Sequence, residues 1–237
     1  MVLSQGMTGP PVRELQTVLN ARLNPSPNLR ISGLFDAATV QAVRSFQAAN
    51  WLEIDGVAGP ATLDALNGDE EGAAIRHNLP YIARPDVTLG WAAAVAMLRR
   101  TSVGVVRQMT PGRFLNAQGD LLSEGSGQRV ELHRAFANQH ALRYRPPKNW
   151  PASTLVGMLR TGPVAIEYLR RPTIQIRGAS SVLLVIAGVR GAHRGDGAST
   201  TLRIHDPDHD STPGVYSCTF TSLGSRLPPA GYAIFST

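Results

Sequence analysis

One thiol is available for nucleophilic chemistry, Cys218, and it lies in the run Val215-Tyr-Ser-Cys-Thr-Phe220. Alternation of that kind belongs to a half-buried strand, so the thiol is read as structural. A single cysteine also makes no internal disulfide. The densest group of metal-ligand residue types is His205-Asp-Pro-Asp-His-Asp210. Pro207 stiffens it and no distant second group completes a ligand set, so it reads as a solvated turn; neither metal nor cofactor is expected. His77, His133, His140 and His193 are scattered over linker, helix and loop, with no partner that the sequence identifies. The stretch best placed for chemistry is Thr88-Leu-Gly-Trp-Ala-Ala-Ala-Val-Ala-Met-Leu98. Its unbroken apolar run from Trp91 to Leu98, closed by Arg99 and Arg100, predicts a helix buried on nearly all sides with cations at its negative end. Thr88 is placed to cap that helix, which puts Gly90 in the first turn. Unpaired N–H groups and the positive dipole end suit a thiolate or an oxyanion there. Gly90 has no side chain to offer.

The elements that must position such a site are framed by length and composition. At 237 residues, with 43% hydrophobic and 17% charged residues, the chain has room for one large globular domain or two unequal ones. The apolar run at 91–98 is too short to span a membrane, and no secretory leader pattern opens the sequence. The net charge of +6 conceals an asymmetry: residues 1–70 hold four arginines against seven acidic residues, and the basic excess lies beyond them. It suits an anionic surface or simply a solvated, arginine-rich face; the second reading is preferred and no nucleic-acid partner is expected.

Pro10-Pro11 opens a helical pattern with Val12, Leu15, Val18, Leu19 and Leu23 on one face, and Asn24-Pro-Ser-Pro-Asn28 reads as loop. An internal repeat follows. Ile31-Ser-Gly-Leu-Phe-Asp-Ala-Ala-Thr-Val-Gln-Ala-Val43 aligns with Ile54-Asp-Gly-Val-Ala-Gly-Pro-Ala-Thr-Leu-Asp-Ala-Leu66 at an offset of 23. Each copy is a tight Gly turn feeding a helix, capped by Asp36 in the first and opened by Gly59-Pro60 in the second. Those residues resemble the three-helix peptidoglycan-binding domain of bacterial and phage cell-wall hydrolases. The resemblance implies a groove along the Gly turns that receives the wall stem peptide, with Phe35, Gln47, Asp55 and Gly56 near it. Phe35 equally suits the core, and the glycines equally serve the turns.

Asn67-Gly-Asp-Glu-Glu-Gly72 opens a linker taken as 68–77. Beyond it, helical patterns at 128–140 and 153–159 give way to strand patterns at 164–168, 182–186, 201–204, 215–220 and 232–235. Helices first and strands afterwards indicate α+β, a helical half with an antiparallel sheet. The order, together with Trp91-Ala92-Ala93, resembles bacterial papain-like cysteine peptidases, with Leu79-Pro80-Tyr81-Ile82 as an entry strand. That resemblance places the nucleophile at Gly90, the oxyanion donor at Arg84, the base at Val182 and its orienter at Asp206. Glycine and valine perform neither nucleophilic nor acid–base chemistry. The sequence therefore predicts two domains: 1–67, peptidoglycan-binding, and 78–237, papain-like in fold and catalytically degenerate. The expected partners are peptidoglycan and a peptide or protein in the degenerate cleft. The expected place of action is periplasmic or extracellular, reached without a signal peptide. The alternative is an active wall peptidase or amidase using other residues or a metal.

Overall fold

The computed structural model describes residues 1–68, 74–122, 128–169, 181–191, 197–208, 214–225, 227 and 231–237, of which 128–129, 168–169 and 181–182 are described in backbone alone. It is a mixed α and antiparallel β protein with a helical N-terminal region, divided into two compact units. The first takes in Met1–Ala74 with Arg190–Leu202 and Ser217–Leu223; the second takes in Ile75–Val189, Arg203–Tyr216 and Gly224–Thr237.

In the first unit, helix α1 (Pro10–Arg22) starts on its prolines, which supply the preset φ and lack an N–H that would go unused. Helix α2 (Ala37–Ala49) is capped by Asp36, whose Oδ1 accepts from the Thr39 N–H and hydroxyl at 2.8 Å each. These bonds to the ionised form hold the Asp36 carboxyl below its ordinary pKa. Helix α3 (Pro60–Asn67) opens on Gly59-Pro60 and stops at Gly68 in the left-handed conformation. Val12, Leu15, Leu19, Phe35, Val43, Phe46 and Leu66 form the core between them.

Two buried glutamines hold the turns in place. Gln16 accepts from the Gly33 N–H at 3.0 Å and donates to the Leu34 carbonyl at 2.9 Å and the Thr39 hydroxyl at 3.1 Å. Gln47 repeats this with the Gly56 N–H at 2.9 Å, the Val57 carbonyl at 3.0 Å and the Thr62 hydroxyl at 3.1 Å. The repeat is thus longer than the segment aligned at an offset of 23. Arg13-x-x-Gln16 on α1 recurs as Arg44-x-x-Gln47 on α2, at an offset of 31. Gln16 precedes Gly33 by 17 residues and Gln47 precedes Gly56 by nine, the difference being taken up by the proline-containing first connection. Both glycines have φ near +77, at +76 and +78, and a Cβ on either would press on Arg13 or Arg44. Two independent constraints therefore require glycine there.

The second unit begins with β1 (Ile75–Arg76), which pairs with β4, so the end of the predicted linker is part of a sheet. In chain order come α4 (Gly90–Arg99), α5 (Val103–Met109), α6 (Gln128–Gln139), β2 (Arg143–Lys148), α7 (Ala152–Leu159), β3 (Val164–Leu169), β4 (Ser181–Gly191), β5 (Thr200–His205), β6 (Val215–Thr219), α8 (Phe220–Gly224), which belongs to the first unit up to Leu223, and β7 (Tyr232–Ser236). The sheet order is β2-β7-β3-β4-β5-β6. Every residue of α4 from Gly90 to Leu98 is buried, as its apolar run requires. Trp91 meets Phe136 edge-on at 5.7 Å, and Phe136 meets Phe114 at 5.8 Å and Phe235 at 6.1 Å, so rings from helix, turn and sheet form one stack.

Three local expectations are corrected. Residues 79–82 form no strand; the pairing falls instead on Ile75–Arg76. Thr88 does not cap α4, because its N–H and hydroxyl both turn back to Asp86 Oδ1, at 3.0 and 2.9 Å. The cap position is Leu89, with no side-chain bond. Strand β2 has no counterpart in the sequence reading, since Pro146-Pro147 removes two ladder donors. Such a strand is tolerated only at a sheet edge, where β2 lies, and its register with β7 shifts between Arg145 and Lys148.

Replacing Gln47 by Leu orphans the buried Gly56 N–H and Val57 carbonyl at a cost of about 2 kcal/mol. Amide hydrogen exchange at Gly56 in the full-length protein is expected to quicken roughly thirtyfold. Exchange unchanged within twofold would mean that the amide does not hold the turn.

Candidate functional site

The head of α4 is filled by a residue that lies just beyond β5. A Cβ built on Gly90 would overlap the carboxylate of Asp208, so an acidic side chain occupies the space that a side chain at position 90 would take. The positive end of the helix dipole favours a carboxylate there. Arg84 Nη1 bonds Asp208 Oδ1 at 2.6 Å, with the two side chains 16% and 10% exposed. A charge-assisted pair this short and this sheltered is stronger than a surface ion pair. The Arg84 N–H also donates to the Pro207 carbonyl at 3.3 Å.

Asp206 builds the loop that delivers Asp208. Its Oδ1 accepts the Asp208 N–H at 2.9 Å, its N–H donates to the Gly214 carbonyl at 2.7 Å, and its carbonyl accepts the Tyr81 hydroxyl at 3.1 Å. Burial, with the nearby Asp206 and Asp208 charges, raises the Tyr81 pKa, and Arg84 opposes the shift. Arg84, Gly90 and Asp206 are therefore brought together around Asp208, and the stretch expected to be a solvated turn is corrected: His205, Asp206 and Asp208 are all buried, because both carboxylates find their partners inside the fold. Val182 pairs with Tyr168 near the start of β4, and its side chain lies outside the described residues. His209 and Asp210 of the predicted turn also lie outside them. Among the described residues no group of three or more His, Cys, Asp or Glu could hold a metal. Cys218 is buried.

His205 closes β5 with its ring edge-on to Tyr81 at 6.0 Å. Its Nδ1 is buried with no hydrogen-bond partner among the described residues. Burial, assisted by the Arg203 charge, pushes its pKa down to about 4. A different histidine carries the innermost polar contact. His133 Nε2 donates to the Leu122 carbonyl at 2.9 Å while Nδ1 faces Glu167 Oε2 at 3.1 Å, both side chains being wholly buried. The Leu122 carbonyl can only accept, so Nε2 is the donor in that bond. The His133–Glu167 pair fastens α6 to β3. No spacing rule links residues 133 and 167, so the sequence could not reveal it.

In the first unit, Phe35 is fully buried and contributes packing, and Gln47 is 1% exposed with its amide spent on the turn. Asp55 is exposed; its Oδ1 accepts from Gln47 at 2.7 Å and from the Val57 N–H at 2.8 Å. Gly56 forms the turn itself. A small cleft there is lined by Gln47, Glu53, Asp55, Thr62, Ala198 and Thr219. Glu53 accepts from the Thr219 N–H at 3.0 Å and the Ser222 hydroxyl at 2.9 Å.

Residues 8–66 match a family described as a peptidoglycan binding domain, so the chain carries an N-terminal domain of that kind. Over 64 residues, 27% of this chain, it is 42% identical to "Zinc D-Ala-D-Ala carboxypeptidase" of Streptomyces albus G, covering 25% of that protein. Over 74 residues, 31% of this chain, it is 38% identical to "Probable N-acetylmuramoyl-L-alanine amidase" of Bacillus licheniformis, covering 21% of it. The aligned stretches thus span about a quarter of each of these relatives. The crystal structure of a Burkholderia AP3 phage endolysin aligns with 30% identity over 45% of this chain and 36% of that one, at a TM-score of 0.28. Among the described residues no helix is long and apolar enough to cross a membrane.

Two predictions follow from the geometry at α4 and β5. Gly90→Ala should destabilise the protein by about 1–3 kcal/mol, because the methyl group displaces the Asp208 carboxylate. In an Asp208→Ala background the same change should cost little. Denaturant unfolding of the four proteins of that cycle checks it, and equal costs in both backgrounds would show that the two groups do not compete. For His205, the unfolded chain takes up a proton below about 6.5 and the folded chain only below about 4. Stability is therefore complete above the unfolded value and declines as pH falls through that interval. The unfolding temperature should drop between pH 7 and pH 4.5, and less steeply in His205→Asn.

Proposed function

We propose that the protein binds bacterial peptidoglycan through its first unit and acts at the cell wall, outside the cytoplasmic membrane. The observation that carries this reading is the family match over 8–66, which includes both Gln-anchored Gly turns. For the second unit we propose a papain-like domain without its peptidase chemistry, serving as a module that binds a peptide or protein, in the manner of an effector or wall-associated adaptor. Gly90 has no nucleophile, and the space beside it is filled by Asp208. Arg84, at the oxyanion-donor position of that resemblance, is engaged with the same carboxylate. Asp206 accepts the Asp208 backbone N–H and so shapes the loop that carries that carboxylate.

A second reading is a wall hydrolase that uses other residues. It is favoured by the relatives in the preceding section, both of which bear the names of hydrolases.

Purified full-length protein incubated with sacculi separates the two. The proposal expects the protein to pellet with the sacculi, with no soluble fragments released and no native-state labelling by a thiol-directed peptidase warhead. Protein that stays in the supernatant contradicts wall binding. Fragments in the supernatant contradict the inactive second unit and favour the hydrolase.

A further inference from the structure

The internal repeat allows one copy to be compared with the other, position by position, within a single chain. Val12/Val43, Gln16/Gln47, Gly33/Gly56 and Thr39/Thr62 are identical in both copies. All are buried and each has a duty described above: core packing, turn anchoring, the turn itself, or the hydroxyl that the glutamine meets. Two further identical pairs are exposed. Arg13 and Arg44 present their side chains at the surface, and Ile31 and Ile54 are 50% and 57% exposed.

The arginine stems cover the Gly turns, but that packing does not call for the charge at their ends. Among the described residues neither guanidinium has a hydrogen-bond or ion-pair partner. Each arginine instead lies across a Gly turn, with Nε 2.8 Å (Arg13) and 2.9 Å (Arg44) from the place a Cβ would take on Gly33 or Gly56. Nor do they express a generally basic surface. Residues 1–70 contain four cationic side chains against seven acidic ones, and two of the four are this repeated pair. A large aliphatic side chain left in water gains nothing for the fold, and here it too is present twice, two residues before the glycine.

We propose that each repeat carries a carboxylate-binding subsite, in which the arginine over the Gly turn pairs with the carboxylate and the isoleucine two residues before the glycine contacts a small aliphatic side chain. The chain then holds two equivalent subsites, Arg13 with Ile31 and Arg44 with Ile54. Guanidinium is the group suited to carboxylate, because its planar fork can bond both oxygens. This inference rests on the wall-binding reading and on the stem-peptide groove that the resemblance implies, and it names the residues that recognise the peptide's carboxylates. Stem peptides combine free carboxylates with alanine methyl groups, whereas the neutral glycan hydroxyls offer a guanidinium no counter-charge. Two weak subsites on one chain facing a repetitive polymer also gain by avidity.

The test uses the full-length protein and the variants Arg13→Met, Arg44→Met and the double variant, which keep an aliphatic stem over each turn and remove the charge. Sacculi pelleting should weaken by about tenfold for each single variant and by more for the double, the loss of one charge-assisted contact per subsite. Wild-type protein should also bind a synthetic stem pentapeptide at least about tenfold more tightly as the free acid than with its carboxyls amidated, by calorimetry. That comparison needs no variant and stands even where one folds poorly. Wild-type protein that pellets, with variants that pellet equally well, overturns the subsites and leaves wall binding intact. Equal affinity for acid and amide also overturns them. Wild-type protein that fails to pellet overturns both.

Discussion

A buried primary amide with its donors and acceptor all engaged is the constraint on which the first unit depends. The amide is costly to bury unless every hydrogen bond is made, and it makes them to a backbone N–H and a carbonyl of the next Gly turn and to a hydroxyl on the helix that the turn feeds. Position and turn are therefore specified together. Because the helix presents its arginine one turn before its glutamine, fixing the glutamine also fixes where the guanidinium lies. The same sentence of structure is written twice, from Gln16 and from Gln47. Two copies of a polar latch, together with the buried core, hold three short helices in register.

In the second unit the corresponding constraint is a carboxylate at a helix terminus. Helix α4 is buried along its length, so its first turn has no water to satisfy it. Asp208 brings a negative charge there, Arg84 neutralises it, and Asp206 fixes the loop between them. The arrangement is closed: the space at Gly90 is taken by an acid already paired, and the adjoining His205 is held neutral by burial. These contacts are what supports the proposal that the unit binds a ligand instead of cleaving it.

How much was legible in the sequence depended on how local the signal was. Helix α4 could be read from its apolar run, the start of α1 from Pro10-Pro11, the cap of α2 from Asp36, and the later strands from alternation. Each is a short-range pattern with a single physical cause. The repeat was visible where its offset is constant, from Ile31 to Leu66. It was hidden where the proline-containing connection shifts the helices by eight further residues, so that Gln16 and Gln47 did not align. Thr88 was misread because its hydroxyl had a nearer acceptor in Asp86. Phe35 and Gln47 could be placed near a groove by resemblance, but only packing shows that Phe35 is wholly enclosed and the Gln47 amide fully used. Asp208 and the His133–Glu167 pair depend on contacts over 124 and 34 residues of chain, which no local pattern encodes.

The central claim is that the repeated Gly turns are the surface that meets the wall. Amide and arginine Nε resonances of full-length protein, followed by NMR during titration with soluble disaccharide–peptide fragments of peptidoglycan, test this most directly. The account predicts shifts confined to the surroundings of Gly33 and Gly56, including the Nε groups of Arg13 and Arg44, with the amides around Gly90 unmoved. Shifts that leave both turns untouched, or that centre on the head of α4, would contradict it.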